Sequence, residues 1–195
     1  MNKKITLRLG RPEDAQHIAG MIIMAMTEEC CRHFYGEHHS IEDFHRLMTQ
    51  LAASPGTQYS YENTICAIDD KGRIVGISVS YDGARLEELR QPFIDSAIRE
   101  FGIDHSSMSP ETQSGELYLD SLAVLPEYRG MGIAKLLLKA TAEKAYKMGA
   151  LPIGLLVDES NTQAEQLYYK MGFRHINNNK WGGHNMKHLQ LTSEK

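Results

Sequence analysis

Leu122-Ala-Val-Leu-Pro-Glu-Tyr-Arg-Gly-Met-Gly-Ile-Ala134 is the stretch on which the reading of the whole chain turns. An apolar strand ends at Pro126, the chain turns through Gly130 and Gly132, and a helical pattern begins at Ile133. The first N–H groups of such a helix have no partner within it, and its aligned peptide dipoles make that end positive. Glycines let a ligand approach the backbone closely, so the turn can cradle a phosphate. Two familiar cradles are excluded. The residues after Gly132 are Ile133-Ala134-Lys135 rather than Lys-Ser/Thr, and position 135 is lysine where a dinucleotide fingerprint needs glycine. By itself Gly-x-Gly also fits a plain tight turn, so the surroundings must decide.

Working downstream, Ile133, Leu136, Leu137, Ala140 and Ala145 recur at helical spacing, which predicts a helix over 133–148 ended by Gly149. Ile153 to Val157 predicts a short strand, and Thr162 to Met171 a helix stopped by Gly172. Two last strands are expected at 173–177 and 184–191, with a polar loop, 178–183, between them. Upstream, residues 115–124 form the strand that feeds the turn. Before it lie a helix at 85–101, with Leu86, Leu89, Phe93, Ala97, Ile98 and Phe101 apolar, and a polar loop at 102–114. Residues 61–68 and 73–81 read as a hairpin around Asp69-Asp70-Lys71-Gly72. A first strand is expected at 4–9 and a helix opening at Pro12, with Ile18, Met21, Ile22, Ala25 and Met26 inward. Ser40 and Asp43 form a capping pair for a helix near 41–53.

Arg129-x-x-Gly132-x-Ala134, preceded by Leu122-Ala123-Val124 and Pro126, resembles the acyl-CoA motif of the GCN5-related N-acetyltransferases. Asn161-x-x-Ala164-x-x-Leu167-Tyr168-x-x-x-Gly172-Phe173 is similar to the second half of that motif, and one helix and one strand fit between the halves. The resemblance is strong over about 115–175, carried by element order over 4–82, and weak over 83–114. It implies a single α/β domain over 1–195, with a central mixed, mainly antiparallel sheet flanked by helices and an inserted helix and loop at about 83–114. It implies acetyl-CoA as acyl donor. The backbone of Leu122, Ala123 and Val124 would bind the pantetheine arm like an added strand. Amides of Arg129, Gly130, Met131, Gly132, Ile133 and Ala134 would hold the pyrophosphate, with Lys135 as a possible nearby cation. Asn161 would touch the cofactor arm, a role compatible with capping the 162–171 helix. Tyr168 would stand near the thioester sulfur and protonate the leaving thiolate; a phenol's pKa of about 10 suits that task.

An ammonium must lose a proton before it attacks a thioester. In a regular strand Glu116, Tyr118, Asp120 and Leu122 share one face. The resemblance implies a base at the strand position of Asp120, two residues before the pantetheine-binding segment, so Asp120 is the first candidate for base or amine anchor, if it is not simply a structural hydrogen-bonding aspartate, and Glu116 is the second. The resemblance implies an acceptor site built from about Glu28 to His45 and from 83–114, with Glu28, Glu29 and Glu37 suited to a cationic amine if they are not simply a solvated helix face. Cys30, Cys31, His33, Glu37, His38 and His39 lack zinc-like spacing, so no metal is expected. His184 and His188 flank the last strand and are read first as surface residues, with contact to a partner or substrate as the alternative.

Composition sets the outer bounds. The net charge of −4 argues against general affinity for nucleic acid, and no apolar run is long enough to span a bilayer. Three cysteines without framework spacing, and an N-terminus lacking an apolar signal core, point to a reducing, cytoplasmic setting. The expected chemistry is direct attack by a primary amine of a small molecule, peptide or protein on acetyl-CoA in a ternary complex. A homodimer is a family-level expectation. Two other readings remain: a non-catalytic acyl-CoA sensor or interaction module on the same fold, and a phosphate or nucleotide binder using the same turn.

Overall fold

Two runs of apolar and small residues, Thr64–Ile68 (β2) and Ile74–Asp82 (β3), are buried on both faces almost throughout. Strands of that kind lie in the middle of a sheet covered on both sides. The computed structural model, which describes residues 4–192, bears this out with a seven-stranded sheet in the order β1-β2-β3-β4-β5-β7-β6. The other strands are β1 (Thr6–Leu9), β4 (Leu117–Val124), β5 (Ile153–Asp158), β6 (Arg174–Trp181) and β7 (His184–Leu191). Every neighbouring pair is antiparallel except β4 and β5. This is the mixed, mainly antiparallel sheet that the motif implied.

Helices α1 (Ala15–Ala25), α2 (Glu28–Tyr35), α3 (Ile41–Ala53) and α4 (Leu86–Phe101) cover one face. Their core joins Ile18, Phe34, Phe44, Met48 and Phe93 to Ile77 and Val79 of β3. Helix α5 (Ile133–Lys147) covers the other face, with Ile133 and Leu137 on Ile65 and Val75 and with Leu138 beside Leu117 and Leu155. Helix α6 (Thr162–Lys170) adds Ala164, Leu167 and Tyr168 to that side.

The structure changes several readings. The expected loop 178–183 is mostly strand: β6 runs to Trp181 and turns at Gly182-Gly183 into β7. Its asparagines look loop-like because β6 is the sheet's last strand and most of it is exposed, where polar residues discourage further pairing. Helix α2 was not anticipated, although its signal is present: Thr27 accepts a hydrogen bond from Cys30 N, with Glu28 and Glu29 in the first turn. In α4, Ile94 is buried and Ile98 is exposed, so the inward face follows Leu86, Leu89, Phe93, Ala97 and Phe101.

The decisive irregularity is in β4. Val79 pairs with Ser121 but Ser80 pairs with Leu119, so Asp120 is an extra residue, a bulge. A bulge flips the alternation of side chains beyond it. Leu117 and Leu119 therefore face the α5 side together with Leu122, while Tyr118 and Ala123 pack on the opposite side. Glu116, Tyr118, Asp120 and Leu122 do not share a face. Beyond the bulge β4 and β5 also separate, being paired only at Leu117–Ile153 and Tyr118–Gly154.

Candidate active site

The parting of β4 and β5 opens the sheet, and two cavities meet in the gap. One, of about 500 Å3, runs along Leu122, Ala123 and Val124 to the turn at Arg129, Gly130 and Gly132 and the start of α5 at Ile133, Ala134 and Lys135. The other, of about 440 Å3, lies on the α1–α2 side and is lined by Asp120, Tyr118, Tyr59, Asp158, Trp181 and His184 among others. Leu122, Asn161, Ala164, Tyr168 and Ala25 line both and mark the junction.

The turn end of the first cavity is built from backbone. Gly130 and Gly132 have φ of +75° and +80°, which glycine alone adopts freely. Gly132 is the N-cap of α5, and the first turn bond is Leu136 N to Gly132 O. Among the described residues, no backbone N–H from Gly130 to Lys135 donates a hydrogen bond to the protein. Arg129 braces the turn, its Nε donating to the Val124 carbonyl at 3.2 Å. Of the residues expected around a cofactor, Met131 alone does not line the cavity; its side chain is exposed. Asn161 caps α6, accepting from Ala164 N at 3.1 Å, so capping and cavity lining coincide.

Tyr168 packs its ring on Phe173 with centroids 5.4 Å apart. Burial pushes its phenol up to about 12, and among the described residues its hydroxyl has no hydrogen-bond partner. A phenol of that kind stays protonated and free to donate at the junction.

Asp120 is aimed into the second cavity by the bulge. Burial, reinforced by the Glu111 charge, pushes its carboxyl up to about 8. Glu111 comes from 83–114 and makes a buried ion pair with Arg90 of α4. Arg90 also donates to the carbonyls of Met108 and Ser109, both at 3.2 Å, and Tyr81 donates to Glu111 at 3.2 Å. The segment 83–114 is thus pinned to the sheet directly behind the cavity wall. On the far side of the bulge, Lys144 of α5 donates to the carbonyl and hydroxyl oxygens of Ser80, and burial pushes its amine down to about 8.

Asp158, on the β5 wall, lies 2.8 Å from His184 Nδ1 and accepts from Ser160 N at 2.8 Å and Ser160 Oγ at 2.6 Å. Burial opposes its ionisation, but these hydrogen bonds prevail and hold it below the usual carboxylate range. His184 is therefore a cavity residue and not a bare surface one. His188 is also inside: its Nε2 lies 3.0 Å from Glu116 Oε2. Glu116 accepts as well from Thr112 at 2.6 Å and Gln190 at 3.0 Å, and it fills the space where a Cβ of Gly154 would stand. Fully buried in this cross-sheet network and absent from both cavity walls, Glu116 is structural, which removes it as the second base candidate. Glu28 and Glu29 are exposed on α2, and Glu37 lines neither cavity. Among the described residues no group of three or more His, Cys, Asp or Glu is positioned to hold a metal ion. None of the described helices is long and apolar enough to cross a membrane.

The family model of the acetyltransferase (GNAT) family matches residues 23–173, from α1 to the end of the Tyr168 segment. The chain belongs to this family. Thialysine N-epsilon-acetyltransferase of Sus scrofa is 38% identical over 60 residues, 31% of this chain and 35% of that protein, so the chain matches about a third of that curated relative's length. A crystal structure described as an acetyltransferase is 28% identical with a TM-score of 0.74, covering 97% of this chain and all (100%) of that one. An N-acetyltransferase from Staphylococcus aureus Mu50 shares the fold, with a TM-score of 0.80 at 22% identity over 95% of this chain and 100% of its own. The GNAT match takes in the bulged strand and the glycine turn, but it ends before Trp181, His184 and Met186 of the second cavity.

Proposed function

We propose that this GNAT protein transfers the acetyl group of acetyl-CoA to a primary amine by direct attack within a ternary complex. The observation that carries the reading is the junction itself. A cavity ending in unpaired backbone N–H groups meets a cavity holding a basic carboxylate, with a free phenol between them. In this reading the amides of Gly130 to Lys135 and the positive end of α5 take the pyrophosphate. The β4 backbone from Leu122 to Val124, left unpaired by the departure of β5, takes the pantetheine arm as an added strand. Acetyl-CoA supplies an activated acyl group.

Asp120 receives one proton from the ammonium. A carboxylate with its pKa near 8 is a stronger base than an ordinary one, and the match to an amine is closer. As the C–N bond forms and the C–S bond breaks, the second amine proton ends on sulfur. Tyr168, with a pKa near 12, is a weaker acid than a thiol at about 8.5, so it stabilises the departing thiolate mainly by donating a hydrogen bond. Holding both reactants at one junction lowers the barrier through placement alone. The domain is proposed to be one catalytic unit with 83–114 as the wall behind Asp120, working in the cytoplasm.

Thermal stabilisation by acetyl-CoA and CoA but not ATP, followed by thiol release with an amine panel, tests the reading. Stabilisation without release for any amine would favour the sensor alternative, and stabilisation by ATP alone would favour a nucleotide binder.

A further inference from the structure

The second cavity has a chemical bias that goes beyond amine acetylation in general. Its walls carry two acidic side chains, Asp120 on β4 and Asp158 on β5, and the aromatic rings of Tyr59, Tyr118, Trp181 and, at the junction, Tyr168. Among the described residues, no lysine or arginine lines it. The nearby guanidinium, Arg90, is already committed to Glu111 and to two backbone carbonyls. An acceptor carrying its own carboxylate would bring that charge into a partly desolvated space with no lysine or arginine to meet it, the lining His184 being engaged by Asp158, and with the ionised Asp158 to repel it. A cation would meet the opposite conditions.

The two aspartates are also prepared differently. Among the described residues Asp120 has no cation paired with it, and it lines the cavity together with Tyr168 at the junction, where a reacting nitrogen must be. Asp158 is fixed by Ser160 and His184, away from the first cavity, which it does not line. Three donors occupy a carboxylate that offers about four lone-pair sites, so one remains for a ligand. Trp181 adds an indole ring, a group that attracts ammonium ions. A volume of about 440 Å3 is in the range of small-ligand sites, roughly 300–1,000 Å3.

We infer that the acceptor is a small aliphatic diamine or polyamine without a carboxylate, its reacting nitrogen at Asp120 and its second ammonium at Asp158 and Trp181. This rests on the transferase reading above. Cadaverine, n-pentylamine and L-lysine form a matched set: the second lacks the distal ammonium and the third adds a carboxylate. Thiol release from acetyl-CoA is expected to give kcat/KM for cadaverine at least tenfold above n-pentylamine and at least a hundredfold above L-lysine. Asp158→Asn should bring the first ratio to near one while leaving acetyl-CoA affinity unchanged. The comparison of the three amines on the unmodified protein stands even if that variant fails to fold. Equal use of lysine and cadaverine, equal use of pentylamine and cadaverine, or faster release with a short free-N-terminus peptide amide would each overturn the inference. Acetyl-CoA binding with no release for any of the three would overturn the acceptor class and leave the cofactor site standing. No acetyl-CoA binding at all would overturn the transferase reading and this inference with it.

Discussion

The two cavities that meet at Tyr168 are made of different material. The cleft along β4 and the α5 turn offers backbone: unpaired N–H groups, a strand edge and two glycines of positive φ. The cavity on the α1–α2 side offers side chains contributed by distant segments, Tyr59, Asp120, Asp158 and Trp181. A backbone site depends on a short local pattern and tolerates changes in side chains that keep the conformation. A side-chain site depends on identities that can vary independently, which suits one fold to many acceptors.

The sharpest way to break this contrast is at Gly132. Gly132→Glu adds a left-handed strain, bulk and a negative charge to the cradle, and acetyl-CoA affinity by calorimetry is expected to fall more than about a hundredfold (over ~2.7 kcal/mol). An undiminished affinity in a folded variant would remove the cradle from its role. On the side-chain side, Asp120→Asn should lower kcat/KM for the amine by roughly 10²–10⁴ without changing acetyl-CoA affinity. A parallel loss of cofactor affinity would mean that the two cavities are not separable. Tyr168→Phe comes next: a fall in kcat of about 10- to 100-fold, the cost of about 1.4–2.7 kcal/mol for one hydrogen bond to a charged group, read where chemistry limits turnover. An unchanged rate would exclude the phenol.

Proton linkage sharpens the comparison further. Asp120 keeps its proton in the folded protein up to about pH 8, whereas in the unfolded chain it ionises near the ordinary carboxylate value of 3.8. The unfolded state therefore holds fewer protons between those values, and Asp120 costs the protein stability progressively as pH rises through that window. Asp120→Asn should raise Tm by a few degrees at pH 8.5 and have little effect near pH 4. A shift independent of pH would contradict the raised pKa. In the active protein the same ionisation gives a rising limb in kcat/KM near pH 8 that the variant lacks. The smallest effect is expected at Val124→Ala, within about twofold in acetyl-CoA affinity, because the contact there is through backbone. A tenfold loss would mean that the side chain carries it.

The contrast also accounts for what was legible beforehand. Gly130, Gly132, Asn161 and Tyr168 stand in one contiguous pattern whose spacing encodes a strand, a turn and two helices, and all four line the cleft. Helix α3 was legible for a similar reason, since Ser40 and Asp43 bond reciprocally at its start. Trp181 and His184 were not legible as site residues. They lie on β6 and β7, brought to β5 only because the final hairpin inserts β7 beside it. Asp158 was missed because an aspartate at a strand end ordinarily serves the following turn, as it does here through Ser160. Glu116 looked available by alternation, but a carboxylate beside Gly154 and opposite His188 is consumed by the sheet.

Local sequence by itself determined the family, the order of most elements and the glycine turn before α5, because those depend on residues near one another in the chain and on glycine's freedom at positive φ. Only the tertiary structure decided where β4 bulges and which side chains line the second cavity. A bulge is a mismatch between two strands, Val79 with Ser121 and then Ser80 with Leu119, and no single strand carries the information to place it.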